Sequence, residues 1–256
     1  MKQFILPDLP DHTGMIRLSG KDYHYLAHVR RFKAGTLFTA LLPGGEPVQV
    51  RVRSVEPDCL IGSCQVMETA DFRESALPPI LLFQGLPKPA KMDLIVRQAA
   101  EGGIAEIVPF VCEYSPVRLE ENKTERWSRI IKEARQQSGS KIATAVRTPC
   151  TLDALLARWD DLKRRYAQAV GLFFHQDPLE PGGFHRCLAG SPEAVVLAVG
   201  PEGGFSPAEV TDFLRAGFKP LVLGTTVLRT ETAALAAAAA VRIILLENES
   251  WMLKIP

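Results

Sequence analysis

Short runs in which apolar and polar residues alternate dominate the N-terminal part of the chain, and clusters such as Leu42 to Gly45 separate them. Alternation of this kind is typical of strands with one buried face, and Pro and Gly clusters mark turns. The predicted strands are Gln3 to Leu6, Thr36 to Leu42, Val48 to Val55 and Cys59 to Met67. Only Lys21 to Arg31 has a helical pattern. Because strands dominate, the N-terminal part of the chain is predicted to form a small β-barrel.

A polar segment, Glu68 to Pro79, follows the last of these strands and ends in Leu77-Pro78-Pro79. Proline disfavours helical backbone in the residue before it and cannot donate a hydrogen bond to a sheet. We therefore expect a first domain over residues 1–72, a linker over residues 73–79 and a second domain over residues 80–256.

Beyond the linker, apolar runs alternate with segments of helical periodicity. Continuous apolar runs are typical of strands that helices cover on both faces. The predicted strands are Ile80 to Gln84, Ile104 to Val111, Ala169 to Phe174, Ala194 to Val199 and Leu221 to Leu223. The predicted helices contain Met92 to Ala99, Thr124 to Ser138, the segment between the capping box Ser206 to Glu209 and Gly217, and Glu231 to Leu246. This order predicts an α/β domain with an open, mostly parallel sheet.

Composition narrows the class of protein. Hydrophobic residues make up 46% of the chain and charged residues 23%, which excludes disordered, collagen-like and coiled-coil proteins. The formal net charge is +1, so any contact with nucleic acid must come from a local patch. The first twelve residues contain no long apolar run, and no apolar stretch approaches the roughly 18 residues of a membrane span, so we expect neither a signal peptide nor a membrane segment. The five cysteines are scattered and in no CxxC pair, which favours reduced thiols in the cytoplasm over a metal site.

The first candidate for chemistry is the glycine-rich segment Gly200 to Gly204, directly after a predicted buried strand. In open α/β sheets, ligands bind outside the carboxyl ends of the strands, and glycine lets backbone approach them closely. The segment has neither the lysine of a phosphate-binding P-loop nor the spacing of a dinucleotide fingerprint. It is either a cofactor loop or an ordinary tight turn before a capped helix.

A second polar segment, Leu223 to Thr232, stands between a predicted strand and an alanine-rich helix. Packing does not account for its charged residues, although Arg229 and Glu231 can simply pair with each other. The small side chains from Ala233 to Ala240 allow another backbone to come close. They indicate a tight chain crossing or a subunit interface.

Together, Gly200 to Glu209, Leu223-Gly224 and Leu228 to Ala233 resemble motifs of the SPOUT superfamily of S-adenosylmethionine methyltransferases. Within it, the chain is similar to the RsmE-type 16S ribosomal RNA uridine-N3 methyltransferases. Weaker matches follow in family order: His24, His28 to Gly35, Pro87 to Met92, Glu101 to Pro109, and Glu133 to Gly139.

The resemblance implies a fold and a cofactor. The fold is a PUA-like, RNA-binding β-barrel followed by a SPOUT domain with a deep trefoil knot, and the protein is a homodimer with its sites at the subunit interface. The implied cofactor is S-adenosylmethionine. The residues expected to bind it are Phe174, Val199, Gly200, Pro201, Glu202, Gly203, Gly204, Leu223, Gly224, Val227 and Leu228.

The implied reaction is methylation of uracil N3 at one uridine of 16S ribosomal RNA, with the RNA either free or assembled in the small subunit. Arg229 is expected to stabilise charge on the deprotonated uracil, with Glu231 as its orienting partner or as proton acceptor. The candidate phosphate contacts are Arg31, Lys88, Lys91, Arg126 and Arg129, with Lys132 and Arg135 on the same helix. That helix also fits a solvated charged face, and His175 fits a structural histidine.

Two alternatives stay open, and two departures from the family pattern favour the first of them. Thr225-Thr226 stands where Pro-Arg is usual, and Ser140 stands where an arginine is usual. One alternative is a SPOUT methyltransferase that acts on another RNA position. The other is an RNA-binding module with a decayed catalytic site. Membrane, DNA and metal ions are not expected partners.

Overall fold

The computed structural model describes residues 3–67, 77–117, 124–176 and 183–248. Contacts between residues divide the chain into two units, one with residues 1–75 and 135–143, the other with residues 76–134 and 144–256. The expected domain boundary at residue 72 and the linker residues 73–76 lie outside the described residues. No helix among the described residues is long and apolar enough to cross a membrane.

The first unit is a curled five-stranded sheet. Its strands are β1 (Phe4–Ile5), β2 (Met15–Ser19), β3 (Leu37–Leu41), β4 (Pro47–Val55) and β5 (Cys59–Val66), in the spatial order β1-β3-β4-β5-β2. Strands β1 and β3 are parallel, and the other pairs are antiparallel. Buried and exposed positions alternate along much of β4, as its sequence predicts, so Val48, Val50 and Val52 form the core with Leu18 and Leu60.

Two features of this unit differ from the prediction. Strand β2 is not among the predicted strands, although Ile16 and Leu18 are buried in strict alternation. The helix expected over Lys21 to Arg31 is shorter: α1 (Gly20–Tyr23) runs into a π-helical turn (His24–Val29). Arg31 lies beyond it with a left-handed backbone angle, φ +56°, which is uncommon outside glycine and ends the helical segment.

Residues 135–143 belong to this first unit through hydrogen bonds with its N-terminal residues. The Gln3 side-chain amide donates to the carbonyl oxygens of Arg135, at 3.0 Å, and Ser140, at 2.8 Å. The Arg135 guanidinium donates to the carbonyl oxygens of Pro43 and Lys141, both at 3.2 Å. Arg135 is only 5% exposed, and burial lowers its pKa. Arg135 therefore fastens loops of this unit, and its expected contact with an RNA phosphate is wrong because the guanidinium is buried.

The second unit contains a seven-stranded sheet in which every pair is parallel, as predicted for an open α/β domain. Its strands are β6 (Ile80–Gly85), β7 (Glu106–Val111), β8 (Ala145–Val146), β9 (Cys150–Thr151), β10 (Ala169–Phe174), β11 (Ala194–Val199) and β12 (Lys219–Leu221). The order is β12-β10-β11-β6-β7-β8, and β9 also pairs with β7. All six residues of β6 and of β11 are buried.

Helices cover both faces of this sheet. They are α2 (Pro89–Glu101), α3 (Thr124–Ser138), α4 (Leu152–Arg165), α5 (Phe184–Leu188), α6 (Pro207–Arg215) and α7 (Thr230–Asn248). Residues of α2, α3, α5 and α7 form one hydrophobic cluster with the sheet, and residues of α4 and α6 form the other. The predicted capping box is confirmed, because the Ser206 and Glu209 side chains each bond the backbone N–H of the other residue.

The second unit also corrects the prediction in places. The last strand ends at Leu221 and not at Leu223, and it contains Pro220. Proline fits there because, among the described strands, β12 lies at the edge of the sheet and has β10 as its one partner. Helices α4 and α5 and the short strands β8 and β9 are not among the predicted elements.

Candidate cofactor site

The C-terminal ends of β10 and β11 and the segment after β12 enclose a cavity of about 390 Å³ in the second unit. Two loops form most of its wall, the glycine loop (residues 200–204) and the second loop (residues 222–229). Every residue expected to bind a cofactor lines this cavity, and Arg229 and Lys91 line it as well. The structure therefore brings together the two motifs that the sequence singles out.

The glycine loop is fixed against the body of the unit. Gly200 and Pro201 are buried, and the Gly204 backbone N–H donates to the Pro201 carbonyl oxygen at 3.0 Å. Gly204 has φ +71°, a conformation that favours glycine. A Cβ atom at Gly203 would lie 2.7 Å from the Tyr114 Cβ. Gly203 is thus required by its neighbour Tyr114, and not only by an approaching ligand.

The second loop is open by comparison. Residues 224–227 are exposed, with Val227 at 79%, and Gly224 has φ +123°. Thr225 and Thr226, which depart from the family pattern, line the cavity in this loop. No hydrogen bond from residues 222–228 to another described residue is present.

Thr230, the first residue of α7, joins the end of the second loop to the glycine loop. Its hydroxyl donates to the Gly200 carbonyl oxygen at 2.6 Å and accepts a hydrogen bond from the Gln84 side-chain amide at 3.0 Å. Gln84, at the end of β6, is fully buried, and its amide also donates to the Gly85 carbonyl oxygen at 2.9 Å. A buried polar group that keeps its partners is costly to disturb, so this connection fixes the start of the glycine loop and the end of the second loop.

Lys91, in the first turn of α2, contacts two carboxylates at the cavity. Its Nζ lies 3.3 Å from Glu202 Oε1 of the glycine loop and 3.4 Å from Glu231 Oε2 of α7. The Lys88 backbone N–H also donates to Glu202 Oε1, at 3.3 Å. Burial alone raises the pKa of Glu202, but hydrogen bonds from backbone N–H groups and Lys91 outweigh burial and hold that pKa below its usual value.

Arg229 does not pair with Glu231. Among the described residues no ion pair or hydrogen bond joins their side chains, and Glu231 pairs with Lys91 instead. Arg229 is exposed at the rim of the cavity, and its carbonyl oxygen accepts the first backbone hydrogen bond of α7, from Ala233. The pairing that the sequence suggests between these neighbours is therefore not found.

The other basic residues that the sequence predicts as phosphate contacts have different surroundings. Lys88 and Arg129 are exposed. Arg126 forms an ion pair with Asp93 at 2.5 Å, which joins α3 to α2. Arg31 is exposed in the first unit. Lys91 is thus unlike the rest, because it is the candidate whose ammonium group contacts cavity carboxylates.

Several residues of the cavity wall are absent from the predicted set. They are His175, Gln176, Phe205, Val222, Thr225, Thr226, Thr230 and Ala233, together with Lys91, for which a phosphate contact is expected. His175 directly follows β10, and its backbone N–H donates to the Leu221 carbonyl oxygen at 3.1 Å. Its position at a strand end was the available signal, since neighbouring strand ends share one edge of a parallel sheet.

Comparisons with known proteins give the family. The model of the RNA methyltransferase domain matches residues 73–242. The ribosomal RNA small subunit methyltransferase E of Aquifex aeolicus is 34% identical over 218 residues, which are 75% of this chain and 89% of that protein. The chain belongs to this family of RNA methyltransferases. The ribosomal RNA small subunit methyltransferase E of Synechocystis is 28% identical over 238 residues, 90% of this chain and 73% of that relative.

Solved structures of the family resemble the chain over nearly its whole length. The ribosomal RNA small subunit methyltransferase E from Neisseria gonorrhoeae, bound to S-adenosyl methionine, has a TM-score of 0.77 at 25% identity, covering 95% of this chain and 98% of that one. A methyltransferase from Legionella pneumophila, also in complex with this cofactor, has a TM-score of 0.73 at 27% identity and covers 94% and 97% of the two chains.

Proposed function

We propose that this protein transfers a methyl group from S-adenosylmethionine to N3 of one specific uridine in 16S ribosomal RNA of the small ribosomal subunit. The observation that carries the proposal is the convergence of the glycine loop and the second loop on one cavity in a chain of this family. The relatives named ribosomal RNA small subunit methyltransferase E supply the substrate, and the Neisseria structure supplies the cofactor.

The cavity suits S-adenosylmethionine. Its volume of about 390 Å³ falls within the usual range of roughly 300–1,000 Å³ for small-molecule sites. Backbone of Val199 to Gly204 and of Leu223 to Leu228 is available to hold the adenosine part, with Phe174 beside it. When bound, the cofactor supplies an electrophilic methyl group on a sulfonium, so the protein chiefly has to position that group and the uracil in line.

Arg229 and Glu231 are the proposed catalytic residues. Uracil N3 must lose its proton, which places negative charge on O2 and O4, and an exposed guanidinium at the rim can stabilise that charge. Glu231 is the proposed proton acceptor. Its Oε2 lies 3.4 Å from Nζ of Lys91, which lines the wall of the cavity.

RNA binding, the barrel and the knot are parts of the same proposal. We propose that the curled N-terminal sheet is a PUA-like, RNA-binding barrel with Arg31 as a phosphate contact. Lys88 and Arg129 are exposed phosphate contacts of the second unit, and Arg126 contributes from its ion pair with Asp93. The SPOUT trefoil knot is proposed from the family to which the chain belongs. A cytoplasmic location fits the five free cysteines.

A homodimer completes the proposal. Helix α7 has two apolar faces, and the face of small residues, Ala233, Ala234, Ala237 and Ala238, is buried within the chain. Leu235 and Ile243 are 41% and 56% exposed, with Ala239 between them at helical spacing. An exposed apolar stripe of this kind fits a second copy. Sedimentation should show a dimer that Ile243→Glu disrupts, and a fully active wild-type monomer would rule out the shared site.

The decisive test of the proposed function is to map methylated uridines in 16S ribosomal RNA from cells with and without the gene. We expect one N3-methyluridine to disappear on deletion and to return with the wild-type gene but not with Arg229→Ala. Purified protein given free 16S RNA or small subunits from the deletion strain then identifies the substrate form. An unchanged uridine profile would overturn the proposal.

One observation favours a second candidate, a methyltransferase for another RNA position. Thr225 and Thr226 line the cavity where the family pattern has Pro-Arg, so the surface next to the target base differs. The same map distinguishes the two, because loss of a methylated nucleotide elsewhere would identify the other position.

A further inference from the structure

Lys91, Glu202 and Glu231 form a cluster, here called the Lys91 cluster, that joins three separate elements of the second unit. Lys91 lies in the first turn of α2, Glu202 in the glycine loop and Glu231 in the first turn of α7. Both carboxylates lie within 3.4 Å of the one ammonium nitrogen. Several charges that form a network contribute more than isolated surface ion pairs, which are often worth little.

The cluster is partly withdrawn from water, which strengthens its electrostatics. The Lys91 and Glu202 side chains are about a quarter exposed, and the Glu231 side chain is 13% exposed. Two carboxylates that share one cation in such a place repel each other once the cation is removed. The two carboxylates would then move apart. The position of Glu231 therefore depends on Lys91.

Lys88 provides a natural contrast within the same helix start. Its side chain is exposed, and only its backbone N–H contacts Glu202. A lysine that contacts an RNA phosphate contributes to binding and to its salt dependence. A lysine that holds catalytic carboxylates contributes to the rate after binding. The sequence predicts that both lysines contact RNA phosphates, but their contacts in the structure indicate two different roles.

We propose that Lys91 is a positioning residue of the methyl-transfer site, which acts by holding Glu202 and Glu231 together at the cavity. The inference rests on the proposed function, because it assigns Lys91 a role in that reaction. Glu202 gains a role as well, since this carboxylate connects the glycine loop to both Lys91 and the start of α2. Lys91 is accordingly not one of the RNA phosphate contacts.

The test compares Lys91→Met with Lys88→Met in steady-state methylation by the full-length protein, with saturating S-adenosylmethionine and small subunits from a deletion strain. We expect Lys91→Met to lower kcat by about 10²-fold with little change in KM for the subunits, as displacement of reacting groups does. Lys88→Met should raise KM and leave kcat nearly intact. Lys91→Arg should recover most of the rate, since it restores the charge.

A double variant separates positioning from a general loss of stability. If Lys91 acts through Glu231, Lys91→Met should cost little further rate in a Glu231→Gln protein, whereas independent effects multiply. Multiplying losses would overturn the inference, as would a Lys91→Met protein that behaves like Lys88→Met.

The pKa of Glu202 tests the Lys91 cluster in the absence of RNA. Carboxyl carbon NMR of Glu202 should show a higher pKa in Lys91→Met than in wild type, because Lys91 helps to lower it. An unchanged titration would overturn the inference. Wild-type protein that fails to methylate small subunits would count against the proposed function instead, and the titration would still decide on the cluster.

Discussion

The two loops that enclose the cavity are held in different ways. The glycine loop has buried residues at its start, an internal hydrogen bond and the connection from Thr230 to Gly200. The second loop is exposed over residues 224–227, and Leu223 and Leu228 near its two ends pack against the hydrophobic core. We infer that the glycine loop is a preformed wall, whereas the second loop is the part that a bound cofactor and RNA order. Preorganisation on one side lowers the cost of binding, and openness on the other admits a large substrate.

The largest expected effect concerns the rate and arises at the end of the second loop. Arg229→Ala should lose about 10²–10³ in kcat, or roughly 2.7–4 kcal/mol, because a charge-stabilising donor is removed. Cofactor affinity and thermal stability should hardly change, since Arg229 is exposed and has no ion pair with Glu231. Single-turnover methylation at saturating cofactor measures this, with Arg229→Lys as the control that keeps the charge. A near wild-type rate in Arg229→Ala would leave Arg229 outside the chemistry.

Gly203→Ala tests how tightly the glycine loop is packed. The new Cβ would lie 2.7 Å from the Tyr114 Cβ, so we expect a loss of about 1–3 kcal/mol in the free energy of unfolding. Gly190→Ala is the matched control, because a Cβ there meets no atom within 4 Å. Urea unfolding compares the two variants. Equal stabilities would show that Tyr114 and the loop move apart easily.

Thr230→Val removes the hydroxyl that connects the two loops. The buried Gly200 carbonyl and Gln84 amide each lose a partner, which should cost roughly 1–3 kcal/mol of stability and weaken cofactor binding. Thr226→Val, in the exposed part of the second loop, is the control for stability. Thermal unfolding with and without S-adenosylmethionine reads both effects. If both variants unfold at the same temperature, with and without S-adenosylmethionine, the Thr230 hydroxyl does not stabilise the two loops.

Acid should weaken the attachment of the glycine loop to α2. Because the folded pKa of Glu202 lies below its ordinary value of 4.5, its contribution is fully present above that value and is lost as the pH falls through the lower folded pKa. The free energy of unfolding measured between neutral pH and pH 3 should fall less steeply in Glu202→Gln than in wild type. Parallel curves would contradict this assignment.

Val227→Ser should have the smallest effect. The Val227 side chain is 79% exposed, so the free energy of unfolding should change by less than about 0.5 kcal/mol. Urea unfolding in the absence of cofactor measures it. A clear loss of stability would show that the second loop is packed before any ligand binds, and the contrast between the loops would then be wrong.

The sequence predicts most of this architecture because each buried strand and capped helix carries a local pattern. The apolar runs of β10 and β11 and the capping box of α6 are found at the predicted residues. Strand β12 is displaced because Pro220 looks like a breaker, and only the edge position in the sheet explains its presence. The short alternation in β2 is detectable but easily missed.

The residues that line the cavity can be predicted from the sequence, whereas the contacts that hold them in place cannot. Glycine and charged residues after buried strands mark the edge where ligands bind, so both loops can be found from the chain alone. Their connections cannot, because Gln84 and Thr230 are 146 residues apart and no local pattern links them. The same limit explains why sequence neighbours Arg229 and Glu231 suggest a pair, whereas the fold gives Glu231 to Lys91.

Amide hydrogen exchange with and without the cofactor, measured by mass spectrometry, tests most directly whether the two loops form the S-adenosylmethionine site. We expect S-adenosylmethionine to slow exchange strongly in residues 222–228, which make no hydrogen bond to another described residue, and to slow it less in residues 200–204, which are already fixed. Slowed exchange confined to other parts of the chain, or no change at saturating cofactor, would contradict the assignment of this cavity.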